Sequence, residues 1–362
     1  MLGNFVQRHA EAIANIHNVT VLYVALEKNN VRFPDIEDTT NLGVRSIIIY
    51  DQQKFPSLLK KWQTFQKGVK YLESSNPQPF DLIHHNVIWN NGWQAVFLSR
   101  KYNIPVVVTE HWTGYDLKNR NDQPTMLKPF SKWIANKASM ICPVSQDLSK
   151  KMQNFGLLGN YTVVPNVVDT ELFRIDDKPK DTIQFLHVSS LNDAQKNITG
   201  ILRVWKKITD QQEGIKLVIG GDGPYQHYKS IAENLYISAK TIEFFGEKKP
   251  IEISQLMNKS HCLILFSNYE NLPVVIVEAM ASGLFILSTR VGGIAEHVDD
   301  TKGLLINAGD ELELEKTIIT AMEKLKTFNG EESRNYAINH FSKIRISQQY
   351  DAVYHTVLNK KN

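Results

Sequence analysis

The chain has 362 residues, of which 42% are hydrophobic and 22% charged, and a formal net charge of +3. That length is too great for one ordinary core and suits two domains of common size in a soluble globular protein. The weak positive charge, with no zinc-finger or basic-zipper spacing, argues against nucleic acid as a partner, and the longest apolar runs are too short to span a bilayer.

In the first half, short apolar runs alternate with amphipathic segments: "VTVLYVAL" (19–26), "VRSIIIY" (44–50), "DLIHHN" (81–86), "IPVVVTE" (104–110), "MICPVS" (140–145) and "YTVVPN" (161–166). Continuous β-branched runs between helical patterns predict strands buried on both faces of a parallel sheet. Between the second and third runs, "KKWQTFQKGVKYL" (60–72) interleaves lysines with Trp62, Phe65, Val69 and Leu72. Its apolar stripe suits packing on the sheet, with contact to anionic lipid as the alternative. Cys142 and Cys262 each lie inside an apolar run, which predicts buried, inert thiols and a reducing cytoplasmic setting. No His/Cys cluster has metal-ligand spacing, so no metal is expected.

His111, directly after the strand in "VVVTEHWTGY" (106–115), stands where side chains of such sheets reach a ligand cleft. Residues 167–182, "VVDTELFRIDDKPKDT", are polar and charged and read as a linker. The alternation then restarts with "IQFLHVS" (183–189), a helix near 197–211, "IKLVIGG" (215–221), a helix near 225–238, "TIEFFG" (241–246), "HCLILFS" (261–267) and "LFILST" (284–289). Helices near 310–326 and 331–360 close the chain. The expected fold class is therefore α/β, with two successive doubly wound units.

Several loops of the second unit carry candidate chemistry. Lys196 precedes a helix, where its ammonium could sit beside a diphosphate. The glycines of "LVIGGDGP" (217–224) permit close backbone approach to a ligand but lack dinucleotide-binding spacing. "GEKK", starting at Gly246, could edge a nucleobase pocket, and "RVGGIAEH" (290–297) reads only as a loop. In "NYENLPVVIVEAMASG" (268–283), Pro273 predicts a helix start that leaves Glu270 in the preceding loop and Glu278 in the second turn. The free amides of that helix's first turn make a site for an anion such as phosphate. Two carboxylates flanking a phosphate suggest a nucleotide sugar, although from spacing alone a loop acid and a surface-helix acid fit as well.

Taken in order, "GNF", "TEH", "PVS", "VPNVVD", "LHVSSLNDAQKN", "LVIGGDGP", "FFGE", "ENLPVVIVEAMASG" and "VGGIAE" resemble the retaining glycosyltransferases of family 4, with the GT-B fold. The resemblance covers nearly the whole chain. It implies two Rossmann-like domains facing a cleft: an acceptor-side domain at 1–168, a linker at 169–182, a nucleotide-sugar domain at 183–335 and a helix at 336–362 returning to the first domain. It further implies that Glu278 binds the donor ribose, that Glu270 faces the donor sugar and that His111 lies near the reacting carbon. Lys196, Gly3 and the amides of Asn271 to Val274 would border the diphosphate.

The implied activity is hexosyltransferase-type transfer from a nucleotide diphosphate sugar to a saccharide or lipid-linked acceptor in surface polysaccharide synthesis. No cofactor, metal or covalent nucleophile is required. The setting would be cytoplasmic, with peripheral contact at the inner membrane face left open. Alternatives are a GT-B epimerase of nucleotide sugars and a non-catalytic nucleotide-sugar-binding partner subunit. Three departures from the family stand out. Ser189-Ser190 replaces a Gly-Arg pair, Asn271-Leu272-Pro273 replaces glycines, and "MLGNFVQRHA" begins inside the family's first glycine loop. The first strand of the first sheet is therefore expected to be missing.

Overall fold

The computed structural model describes residues 4–26, 35–51, 58–76, 78–89, 91–116, 126–179 and 181–359. Its first half contains α1 (Asn4–Ile13), β1 (Val19–Leu26), β2 (Ile36–Asn41), β3 (Val44–Asp51), α2 (Leu58–Ser75), β4 (Ile83–Asn86), α3 (Gly92–Tyr102), β5 (Val106–Glu110), α4 (Leu127–Ala135), β6 (Met140–Pro143) and α5 (Gln146–Phe155). The second half contains β7 (Ile183–Ser189), α6 (Asp193–Lys196), α7 (Ile198–Thr209), β8 (Ile215–Gly221), α8 (Tyr225–Asn234), β9 (Ile242–Phe245), α9 (Pro250–Asn258), β10 (Cys262–Leu265), α10 (Val274–Ala281), β11 (Phe285–Thr289), β12 (Gly303–Ile306), α11 (Glu311–Lys324), α12 (Gly330–Phe341) and α13 (Lys343–Asn359).

The second half forms one parallel six-stranded sheet in the order β12-β11-β10-β7-β8-β9, with helices on both faces. Its strands read as unbroken apolar runs because both faces are covered, and β10 and β11 are buried at every position. On α7, Ile198, Ile201, Leu202, Trp205 and Ile208 recur at helical spacing and are all buried, so this face docks on the sheet. The buried Trp205 indole keeps its polar edge satisfied by donating to the Thr241 carbonyl at 3.1 Å.

The first half also has an αβα arrangement, but its sheet is in two pieces. β1 pairs with β3 in parallel and β2 joins β3 antiparallel, while β4-β5-β6 forms a separate parallel sheet. Residues of β1 and β4 line one cavity of about 1980 Å³. On α2, Phe65, Val69 and Leu72 are buried, and Lys67 pairs with Asp35 at 2.6 Å on the outer side, so the stripe is used for packing within the domain. Both cysteines are buried in strands, and burial pushes the Cys142 thiol up to about 12, which makes it inert.

The fold departs from the periodicity at four places. Residues 161–166 run beside β6, with Thr162 N donating to the Ile141 carbonyl at 3.0 Å and Val164 N to the Pro143 carbonyl at 3.1 Å, but form a bridge at Tyr161 and no regular strand, and Pro165 has no donor to extend the ladder. β2, "IEDTTN", carries no apolar alternation because its outer residues face solvent, and β12 is only four residues long. The terminal helix expected at 331–360 is two helices. Ser342 takes extended angles, φ −62° and ψ 155°, and the Phe341 carbonyl accepts from Val168 N at 2.9 Å instead of continuing the helix. From there α13 returns to the first half, where Tyr350, Tyr354 and Val357 pack with Val107, Met140, Cys142 and with Ala12 and Ile13 of α1. Among the described residues, no helix is long and apolar enough to cross a membrane.

Candidate active site

Beyond the carboxyl ends of β5, β7 and β10, His111 and Glu270 stand in loops and Lys196 ends the short helix α6, the usual ligand position in open α/β sheets. Loop 268–270 is fastened to the loop after β7: Asn268 N donates to the Gln195 carbonyl at 2.7 Å and Asn268 Nδ2 to the Ala194 carbonyl at 3.0 Å. This brings Lys196 onto Glu270. The Lys196 ammonium bonds Glu270 Oε1, which also accepts from Ser267 Oγ at 2.8 Å, and both charged side chains are buried. A buried ion pair survives only when its remaining valences are satisfied, and Ser267 and Gln195 supply the extra hydrogen bonds.

Pro273 sits just before α10, at φ −67° and ψ 130°, one position earlier than a first-turn proline, and Glu278 falls in the second turn as expected. Glu278 is buried and pairs with Arg8 of α1 at 2.6 Å. Burial raises its pKa, with Arg8 opposing the shift. Arg8 carries no motif and was not anticipated; its position depends on how α1 docks, which no local pattern reports. One face of its guanidinium covers the Phe173 ring at 5.6 Å.

The residues just before α10 are gripped from three sides. Asn271 Nδ2 donates to the His111 carbonyl at 2.6 Å, Asn166 Nδ2 donates to the Leu272 carbonyl at 2.6 Å, and Gly293 N donates to the Asn271 carbonyl at 2.7 Å. Gly292 has φ +58°, and a Cβ there would lie 2.3 Å from the Glu270 carbonyl oxygen, so "VGGIAE" must carry glycine to close against this loop. The same motif sends Glu296 to the first half, where it accepts from Gln146 N at 2.9 Å and Asp147 N at 2.8 Å at the start of α5.

His111 is set by Glu110, whose buried carboxylate accepts from His111 N and Trp112 N at 2.9 Å each, from Ile88 N at 2.9 Å and from Tyr115 Oη at 3.1 Å. The imidazole stacks near Phe5 at 4.2 Å and His9 at 5.2 Å. Burial holds its pKa well below the ordinary value, so the ring is neutral. Arg8 Nη1 and Asn271 Oδ1 are buried without a partner among the described residues, while the His111 ring faces the Asn166 side chain. Buried polar groups are ordinarily satisfied, so two such atoms beside the Glu278 and Glu270 carboxylates suit a polar ligand. Gly246 ends β9 beside Tyr225, two strands from β7 on the same sheet edge, and does not touch the Glu270 cluster. Gly3 lies outside the described residues.

Buried histidines also set an acid limit. Burial pushes His9, His85 and His187 down to about 4, from 6.5, and in His9 it outweighs two carbonyls that favour the charged ring. The unfolded chain binds these protons first, so their stabilisation is complete above about pH 6.5 and is lost as pH falls toward 4. Glu110 and Glu278, whose pKa values burial raises, act in the opposite sense, but they are fewer. Calorimetry should show Tm level above pH 7 and falling by several degrees by pH 5. A level Tm down to pH 4.5 would mean that these rings are charged in the folded state.

The family model described as glycosyl transferases group 1 matches residues 168–340, and that of glycosyltransferase family 4 matches residues 2–172. A Bacillus anthracis protein named N-acetyl-alpha-D-glucosaminyl L-malate synthase is 30% identical over 178 residues, 48% of this chain and 45% of that protein. The chain spans about half the length of the first curated relatives it matches. Sucrose-phosphate synthase from Thermosynechococcus elongatus superposes with TM-score 0.80 at 18% identity, covering 98% of this chain and 93% of that one. Anabaena HepE in complex with UDP-glucose superposes with TM-score 0.71 at 18% identity, covering 87% of each chain.

Proposed function

Because the chain belongs to the group 1, family 4 glycosyltransferases of the GT-B fold, we propose that it moves a sugar from a nucleoside diphosphate sugar to a saccharide or lipid-linked acceptor, with retention of anomeric configuration. The observation that carries this reading is the cluster between the halves: a buried Lys196–Glu270 pair, a second buried acid at Glu278 and the amide end of α10, with Arg8 Nη1 and Asn271 Oδ1 unpartnered beside them among the described residues. In this reading, Lys196 and the α10 amides hold the diphosphate, Glu278 the ribose and Glu270 the donor sugar. Ser190, where the family carries its arginine, offers no charge. In this reading Arg8 supplies a second cation, because Nη1 is the spare end of a guanidinium whose other end holds Glu278.

The reaction then proceeds on one face of the sugar. The acceptor oxygen bonds the anomeric carbon as the bond to the diphosphate oxygen breaks, and the acceptor proton passes to that leaving oxygen. The protein contributes orientation and stabilisation of the charge developing on the diphosphate, while neutral His111 walls the reacting carbon. A nucleotide-sugar donor is supported by Anabaena HepE, which superposes on this chain and holds UDP-glucose.

Thermal unfolding with UDP, GDP, ADP and dTDP and their common sugar conjugates tests the donor. Ligand at a hundred times Kd adds about 2.7 kcal/mol, a shift of several degrees, and one base should dominate. No shift with any of them would defeat the nucleotide-sugar reading. Proton NMR of the product decides retention, and an inverted anomeric centre would overturn the one-face route.

A further inference from the structure

In the sequence "RVGGIAEH" is only a glycine loop; in the fold it touches both halves. Its 3-10 turn, Gly292–Glu296, closes on the loop before α10, where Gly292 sits against the Glu270 carbonyl and Gly293 N donates to the Asn271 carbonyl at 2.7 Å. On its other side the turn meets the first half. A Cβ on Gly293 would lie 2.5 Å from Ser145 Cβ, and the Glu296 carboxylate accepts from Gln146 N at 2.9 Å and Asp147 N at 2.8 Å. Behind the turn, the His297 ring meets Tyr336 Oη at 3.0 Å and the Phe341 ring at 4.9 Å, which anchors it in the second half. The start of α5 is tied in turn to His111: Val144 N donates to the Glu110 carbonyl at 3.3 Å, so the two move as one piece.

The start of α5 is satisfied differently from other helix starts of the chain. α7, α11 and α12 take a cap from the residue just before them, Asn197, Asp310 and Asn329. In α5 the cap Ser145 reaches only Leu148 N, and the first two amides are filled from 150 and 149 positions away by an exposed residue whose carboxylate water would otherwise hold. A carboxylate at the positive end of a helix is held by charge as well as by its hydrogen bonds. Its partners belong to the other half, so these bonds form only when the halves meet. We propose that Glu296 is a positioning residue for transfer, a clasp that fixes the first half against the loop before α10. This rests on the proposed activity, in which Glu270, Glu278 and Lys196 hold the donor from the second half while His111 walls the reacting carbon from the first. Glu296 touches neither donor nor acceptor; it acts through α5 and the turn. Its loss lowers the share of molecules in the closed arrangement and leaves the second half's donor groups as they are.

Glu296→Ala, Glu296→Gln and Ser145→Ala are compared with the wild-type chain by amide hydrogen exchange in NMR, calorimetry and transfer kinetics. Glu296→Ala should speed exchange at Gln146 and Asp147 by at least about tenfold and spare Leu148, which Ser145 caps. It should lower kcat about tenfold and change donor KM less than about threefold. Glu296→Gln keeps one acceptor oxygen at the same reach and should bring kcat back to within about threefold of wild type. Ser145→Ala weakens α5 from inside the first half, and should lower Tm with kcat nearly unchanged. An equal fall of kcat in Ser145→Ala would make the effect one of helix stability and overturn the clasp. Unchanged exchange at Gln146 and Asp147 in Glu296→Ala would overturn it as well. Exchange that responds as expected, with no transfer by the wild-type chain from any donor, would keep the clasp and overturn the activity it serves.

Discussion

Replacing Lys196 by methionine is expected to lower transfer by about two to three orders of magnitude, because it removes a charge from the diphosphate as that group leaves. It should also lower Tm, since Glu270 remains buried with no cation beside it, and breaking one half of a buried pair costs about 3–5 kcal/mol. The two effects are separable. A Lys196→Met/Glu270→Gln double variant leaves no uncompensated charge and should regain most of the lost Tm while staying inactive. If the double variant regains stability and activity together, the pair serves the fold and the donor-site reading of Lys196 is wrong.

His111→Ala should act differently, lowering kcat by about a hundredfold with little change in donor KM. The backbone turn would survive, because Glu110 and Asn271 hold His111 through its main-chain N and O, not through its ring. The missing imidazole would open the cleft beside the reacting carbon and admit water, favouring hydrolysis of the donor over transfer. Because burial keeps this ring neutral, the wild-type rate should show no step at the ordinary histidine pKa. A rise in KM with kcat unchanged would place His111 in donor binding alone.

The strands of the six-stranded parallel sheet were legible because burial on both faces forces continuous apolar runs such as "HCLILF". The polar hairpin strand β2 gave no such signal, and the break at Ser342 depends on Val168, a residue far away in sequence. The acids at 270 and 278 could be placed about a helix start from Pro273 alone. Their partners could not. Lys196 meets Glu270 across 74 positions, and Arg8 reaches Glu278 only because α1 lies across the cleft. Glu110 was visible only as part of a short motif, since its work is to accept four hydrogen bonds from a turn that no spacing describes.

The chain passes between the halves twice, at Val168 and at Ser342, and the two passages touch through a single bridge. Lys343 reinforces them by pairing with Asp169 at 2.7 Å and Glu11 at 3.2 Å. Two covalent tethers side by side behave like the paired leaves of a door hinge. Such paired tethers favour rotation of the halves about a line through those residues over sliding, and a swing about that line would part Arg8 from Glu278 and Asn271 from His111 in one movement.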